Sequence, residues 1–413
     1  MGVILSHPTG NANVRAAAVG FNEAGLLLNF RTSIASFPGS MLDMLGAIGP
    51  LAEVRRRRFD ARLRVVTQQW PWYEVARLLS LKAGLSYLTK HENGPFCVDK
   101  VYQTFDKRVA ALLKDSQRQG VNTVYAYEDG AQFSFSEARK HGLKCLYDLP
   151  IGYWRAARKL MEHEKLLRPE WAATLTGFQD SEAKLARKDD EILMADHIFV
   201  ASQFTASTLK EYPGHLPPVH VIPYGFPEVA TNKDYALASS KRPLKLLFVG
   251  GLSQRKGIAN LFEAVEALGN HVALTIVGNK ASNDCPVLDA ALSKHKWIPS
   301  MAHAEVLALM QAHDVLVFPS LFEGFGLVIT EAMSQGTPVI TTDRTAGPEF
   351  IQHGHNGWLV EAGSTEALKA AIEQLISKAD LIREAGKAAM ETASSRPWEV
   401  YGQELAAAVH KLA

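Results

Sequence analysis

The chain has 413 residues, a formal net charge of +1, 47% hydrophobic and 21% charged residues. That length asks for two domains of about 200 residues, and no run approaches the roughly 18 apolar residues of a membrane span. The charge is uneven: residues 1–215 hold 28 Lys+Arg against 23 Asp+Glu, leaving 16 against 20 for the rest.

Val3 to Ser6 reads as a short apolar strand, HPTGNAN as a loop and VRAAAVGFNEAG as a helix ending near Gly25, one βα unit. The opening MGVILSHPTG has no basic stretch before a long apolar core, so no secretory signal is expected there, and a cytoplasmic place follows. MGVILS fits the myristoylation pattern at Gly2 and Ser6, but a six-residue match is weak beside its reading as a buried strand. LLLNF is the second strand, and residues 48–113 read as helices rich in Leu, Ala and Arg. Within them VRRRRFDARLR, residues 54–64, forms a basic cluster suited to a solvated helix face or to anionic lipid at a peripheral membrane contact. NTVYAY and KCLYD are strands around the helical SFSEARKHG, and HIFVAS, 197–202, closes the series. Cys97, Cys145 and Cys285 are three widely spaced cysteines without zinc-ligand spacing, which suits free thiols.

Between Pro213 and Pro243, PGHLPPVHVIPYGFP and ALASSKRP collect boundary residues, and the hinge belongs there. The expected domains are 1–215 and 216–397, with residues 398–413 as a final helix. A second βα series follows: the strand LKLLFVG, the loop and helix LSQRKGIANLFEAVEALG, the strand HVALTIVG, then AHAEVLALMQAH, DVLVFPS, GLVITEAMSQG capped by Gly336, PVITTD, NGWLV and STEALKAAIEQLIS. Alternation of strand and helix predicts two α/β domains with doubly wound parallel sheets, whose ligands bind at the carboxyl ends of the strands, in the cleft between domains.

In LFEGFGLVITEAMSQGTP a glycine-rich turn opens a helix, with Glu323 and Glu331 eight positions apart. Gly324 and Gly326 let backbone approach a ligand, and the amides of Phe325, Gly326, Leu327 and Val328 make a seat for phosphate oxygens at the positive helix end. Acid on both sides of that seat makes sense if each carboxylate accepts hydroxyls flanking a diphosphate, the layout of a sugar nucleotide. FVGGLSQRKGIANL adds Gly250 and Gly251 to admit the ligand and Arg255 and Lys256 to neutralise it. Trp297 in KWIPSMAHAEV is a candidate neighbour of the base, against its plainer reading as core. His7, Gly10, Asn11 and Asp148 follow strands at ends that should face the cleft and are acceptor-side candidates, although loop polar residues also cap helices, a role open to Asn13.

These blocks, with GTPVI and GPEFIQHGHNGWLV behind them, resemble the nucleotide-sugar-binding domain of retaining glycosyltransferases of family 4, of GT-B fold. The resemblance covers nearly all of residues 244–413, and RPWEVYGQELAAAVHKL resembles the last helix of that family, which returns to the N-terminal domain. It implies a hexosyltransferase-type enzyme that retains configuration and works without metal or cofactor, in agreement with the lack of a strict DxD. It further implies a nucleotide-sugar donor, a glycan or lipid-linked acceptor, no nucleic-acid partner, and a role in polysaccharide or lipopolysaccharide synthesis. Carried over, Glu323 contacts the donor sugar, Glu331 the ribose, and Lys256 with Arg255 the diphosphate, with Lys256, Arg255 and Glu323 the catalytic group. Two departures stand out. Gly251 occupies the place of the family's usual arginine, with Arg255 as a substitute, and Tyr147, Asp148 and Pro150 lie where an N-terminal-domain histidine is expected. A sugar-nucleotide epimerase and a non-catalytic nucleotide-sugar-binding subunit are the alternatives.

Overall fold

The computed structural model describes residues 2–45, 57–115, 119–235 and 242–412. Two all-parallel sheets organise them. The first holds β1 (Val3–Ser6), β2 (Leu27–Thr32), β3 (Thr67–Gln69), β4 (Thr123–Tyr127), β5 (Lys144–Leu149), β6 (His197–Val200) and β7 (Val219–Val221), in the order β3-β2-β1-β4-β5-β6-β7. The second holds β8 (Leu244–Val249), β9 (Val272–Val277), β10 (Lys296–Ile298), β11 (Val315–Phe318), β12 (Val339–Thr342) and β13 (Gly357–Val360), in the order β10-β9-β8-β11-β12-β13. Central strands such as β1 and β11 are buried at every residue, because crossover helices cover both faces of a parallel sheet. This is why they read as unbroken apolar runs rather than as alternation.

The strand order reverses between β1 and β4 in one sheet and between β8 and β11 in the other. At such a switch the loops leaving two neighbouring strands diverge to opposite faces and leave a crevice. The loops after β8 and β11 are the two that the sequence marks.

Several expected boundaries move. Val219–Val221 pairs with β6, so the first sheet ends after Val221 rather than at residue 215. Residues 48–113 contain the strand β3 as well as the helices Trp72–Lys82 and Val98–Leu112. Asn13 does not cap a helix: it lies inside the Ala12–Glu23 helix, and its Nδ2 donates to the Tyr224 hydroxyl at 3.1 Å. Asn11 holds the N-cap position, without a side-chain cap bond. Residues 54–56 of the basic cluster and 236–241 of the hinge segment lie outside the described residues.

The Trp398–His410 helix lies along the Ala12–Glu23 helix, so closely that a Cβ on Gly20 would sit 2.2 Å from the Gly402 carbonyl oxygen. The domains also meet around the turn Pro169–Thr174. Trp171 stacks on Phe262 at 6.0 Å, the Ser253 hydroxyl donates to the Thr174 carbonyl at 2.6 Å, and Gln254 Nε2 donates to Glu164 at 2.7 Å. Among the described residues no helix is long and apolar enough to cross a membrane.

Candidate active site

The crevice of the second sheet is shaped by glycines. Gly250 and Gly278, at the ends of β8 and β9, have φ of 154° and 152°, and a Cβ on Gly278 would fall 1.8 Å from the Gly250 carbonyl oxygen. Beyond them the turn Gln254–Lys256 ends at Gly257, with φ of 69°. A Cβ at Gly257 would meet the Pro319 carbonyl oxygen at 2.0 Å, so only glycine lets the Arg255–Lys256 turn press against the loop after β11.

That contact brings three charged side chains together. The Lys256 ammonium pairs with the Glu323 carboxylate and lies 4.9 Å over the Phe318 ring. Arg255 Nη1 sits 3.4 Å from the same carboxylate and donates to the Phe322 carbonyl at 2.7 Å. Burial first, and the Arg255 charge second, push the Lys256 ammonium well below the ordinary lysine range; burial also lowers Arg255. Contact with a carboxylate acts in the opposite sense on a cation. The group is thus two cations held in a low-dielectric crevice by one carboxylate, a setting that favours a more highly charged anion. Position 251 opens onto free space, since a Cβ there would meet nothing within 4 Å.

The helix Leu327–Ser334 starts beside this cluster. Gly326, with φ of 87°, is its N-cap, and the Ile329 amide donates to the Gly326 carbonyl at 2.9 Å. The amides of Phe325, Gly326, Leu327 and Val328 lie ahead of that bond, at the positive end of the helix. Phe325 itself is buried, its ring 4.7 Å from that of Tyr224. One turn on, Glu331 Oε1 lies 3.0 Å from His303 Nε2, and this contact raises the histidine's affinity for its proton. Trp297 packs partly buried against the second domain's core, as its plainer reading has it, and donates its indole N–H to the Gly278 carbonyl at 2.9 Å.

Three of the N-terminal candidates, His7, Gly10 and Asp148, are buried, whereas Asn11 is exposed. His7 is buried, and its Nδ1 accepts from the Gly10 amide at 2.9 Å and the Thr9 amide at 3.1 Å. Burial, assisted by the Arg57 charge, lowers its pKa to about 3, so the ring is neutral. Gly10, with φ of 67°, lies against Phe59, where a Cβ would come within 2.3 Å of the ring. Asn11 Oδ1 accepts from the Thr9 hydroxyl at 3.4 Å.

Asp148 points into the core and accepts from the Tyr125 hydroxyl at 2.6 Å; burial raises its pKa to about 7. A folded-state pKa above the unfolded value means that the native state holds the proton longer. The resulting stability is fully present below the ordinary carboxyl value and is lost as pH rises to about 7, at about 1.4 kcal/mol per unit. Asp148→Asn should therefore match the wild-type thermal midpoint near pH 4 and exceed it near pH 8. Equal midpoints at both pH values would contradict the burial of an ionisable group there.

Sequence reading missed the clasp around Gly324. Its carbonyl accepts from the Ser202 hydroxyl at 2.6 Å and the Thr205 hydroxyl at 2.8 Å, both from the other domain. A Cβ on Gly324 would fall 2.2 Å from the Pro150 carbonyl oxygen. It also missed His303 and the wedge of Phe322 against Gly152. The only local signal for the clasp was the helix-capping pattern of Ser202 and Thr205, which says nothing of Gly324.

Residues 230–392 match the family model described as "Glycosyl transferases group 1". Over 167 residues the chain is 32% identical to a phosphatidyl-myo-inositol mannosyltransferase of Mycobacterium leprae, a match covering 39% of this chain and 44% of the relative. It is 29% identical over 160 residues to a glycogen synthase of Mycobacterium tuberculosis, covering 37% and 39% of the two. To an alpha-maltose-1-phosphate synthase of Mycolicibacterium smegmatis it is 29% identical over 221 residues, covering 47% and 57%. The chain thus spans less than two thirds of each of these relatives. Among solved structures, a sucrose-phosphate synthase from Thermosynechococcus elongatus superposes with a TM-score of 0.66 at 17% identity, covering 100% of this chain and 99% of the other. Anabaena HepE in complex with UDP-glucose superposes with a TM-score of 0.57 at 18% identity, covering 100% of both. The fold is GT-B.

Proposed function

We propose that the chain is a retaining, metal-independent glycosyltransferase, moving a hexosyl group from a nucleotide-diphosphate sugar to a glycan or glycolipid acceptor in cell-surface polysaccharide or lipopolysaccharide assembly. The observation that carries this reading is the meeting of Lys256, Arg255 and Glu323 beside the helix end at Gly326, inside the segment that matches the group 1 model. The UDP-glucose complex of HepE, a structural neighbour, supports a nucleotide-sugar donor.

On this reading the donor's diphosphate takes Lys256 and Arg255 from Glu323 and lies on the amides ahead of Ile329. Glu323, released, accepts hydroxyls of the donor sugar, and Glu331 accepts those of the ribose. As the bond to the diphosphate breaks, negative charge grows on the leaving nucleotide, and two preorganised cations in a buried crevice stabilise it. Purified protein should bind or slowly hydrolyse at least one of a panel of UDP-, GDP- and dTDP-sugars; neither result with any of them would sink the reading. Glu331→Ala should weaken nucleotide binding about tenfold, the order expected for a lost hydrogen bond to a charged group. Unchanged affinity in a titration would remove the ribose assignment.

The reading extends to peripheral membrane contact by the N-terminal domain. The Trp72–Lys82 helix turns Trp72, Val75 and Leu79 to solvent on one face, and Leu85 and Tyr87 continue the exposed apolar surface between the exposed Lys82 and Lys90. Aromatic and aliphatic residues beside lysines suit the boundary of an anionic bilayer. The protein should sediment with phosphatidylglycerol vesicles more than with phosphatidylcholine vesicles, and Trp72→Glu with Leu79→Glu should reduce the bound fraction several-fold. Equal sedimentation with both lipids would contradict this contact.

A further inference from the structure

A cavity of about 230 Å³ lies between the domains, next to the proposed donor seat. Its walls are mainly apolar: Ile151, Met161, Leu175, Phe178 and Leu185 from the first domain, and Phe322 from the loop after β11. Trp154 and Ala157 line the side formed by the Trp154–Leu167 helix.

The charged groups around the cavity are already engaged. Glu128 pairs with Lys188 at 2.9 Å. Asp180 accepts from Lys184 at 2.8 Å and lies 2.9 Å from His91 Nε2. Arg158 reaches Glu182 at 3.2 Å and lies 5.3 Å over the Trp154 ring. A hydrocarbon would cover the apolar walls and leave these pairs intact. An apolar cavity of roughly 150 Å³ suffices for benzene, so this one has room for an aryl ring or a short stretch of branched or linear chain. Longer chains would leave on the side where the lining residues Ile151, Thr176 and Gly177 are exposed.

Two wall residues tie the cavity to the reacting end of the site. Arg255 lines it and also touches Glu323, while Phe322 lines it and immediately precedes Glu323. The cavity therefore borders the Arg255–Glu323 corner. We propose that the cavity holds the hydrocarbon group of an amphipathic acceptor, an alkyl or isoprenoid chain or an aryl aglycone, and presents the acceptor's hydroxyls at that corner. This inference rests on the glycosyltransferase reading for the word acceptor; the apolar specificity rests on the cavity alone.

The test uses methyl, phenyl and n-octyl β-D-glucopyranoside as probes in calorimetric titrations of the full chain, with UDP titrated separately. The octyl or the phenyl probe should bind at least tenfold more tightly than the methyl probe, and the better of the two identifies a chain or a ring as the natural group. Ala157→Phe fills the cavity, and Gly177→Phe blocks its exposed side at a position where a Cβ would meet nothing within 4 Å. Each should cut the preference to under twofold while leaving UDP affinity within twofold, which also shows that the variant is folded. All three probes binding within twofold of one another to the wild type, or the preference surviving in both variants, would overturn the proposal. Wild-type protein that prefers the octyl probe but does not bind UDP would defeat the donor reading and leave the cavity's apolar specificity standing.

Discussion

Lys256→Ala should lower kcat by about 10² to 10³-fold, the ~3 to 4 kcal/mol that one preorganised charge-stabilising donor commonly contributes, while nucleotide affinity falls much less. The asymmetry follows from geometry. Lys256 already has a carboxylate partner, Glu323, so a bound diphosphate must displace one anion to gain another, and much of the binding gain is offset. During transfer the leaving diphosphate gains charge that Glu323 does not, and the exchange becomes favourable. The fold should survive, because Arg255 remains 3.4 Å from the Glu323 carboxylate and keeps it from standing as an unpaired buried charge. Steady-state kinetics with a nucleotide titration checks this. An equal loss in affinity and in kcat/KM, with kcat unchanged, would make Lys256 a ground-state anchor instead.

Gly324→Ala should reduce kcat/KM by about 10²-fold, the scale of a displacement of about 1 Å between reacting groups, although it adds a single methyl group. The new Cβ would lie 2.2 Å from the Pro150 carbonyl oxygen and 2.6 Å from the Ile151 Cα. Both are backbone atoms, so no side-chain rotation relieves the clash, and the domains must part. Parting breaks the bonds from Ser202 and Thr205 to the Gly324 carbonyl and lifts Phe322 from Gly152. UDP affinity should change little, since the proposed nucleotide contacts all lie on the second sheet's domain. Solution scattering should show a larger radius of gyration than in the wild type. Wild-type activity with unchanged scattering would mean that the Gly324 contact does not govern closure.

The parts of the fold that could be read from sequence were those with local causes. Strands buried on both faces wrote themselves as apolar runs, and Gly336, with φ of 70°, marked the end of its helix. Strand β3, Thr67–Gln69, carries no apolar residue, and β7, Val219–Val221, sits inside a proline-rich stretch, so neither gives a strand signal, and the first sheet runs on past residue 215. The meeting of Arg255, Lys256 and Glu323 was legible because these charges lie next to glycines, Gly257 and Gly326, whose positive φ or close packing fixes the turns that carry them. The site's partners were not. His303 lies 28 residues from Glu331, and Ser202 lies 122 residues from Gly324. For His7 and Asp148, position at a strand end does not say to which side a residue turns. In a doubly wound domain, where both faces of the sheet are covered, either side is core.

The eight-residue spacing between Glu323 and Glu331 assigns a ligand's length to a stretch of backbone. A crystal structure of the protein with an intact UDP-sugar, or with whichever nucleotide sugar the panel selects, tests it most directly. The diphosphate should lie on Lys256, Arg255 and the amides of Phe325 to Val328, the ribose hydroxyls on Glu331, and the sugar hydroxyls on a Glu323 that has released Lys256. A nucleotide bound elsewhere, or one bound with the Lys256–Glu323 pair unbroken and Glu331 still on His303, would contradict it.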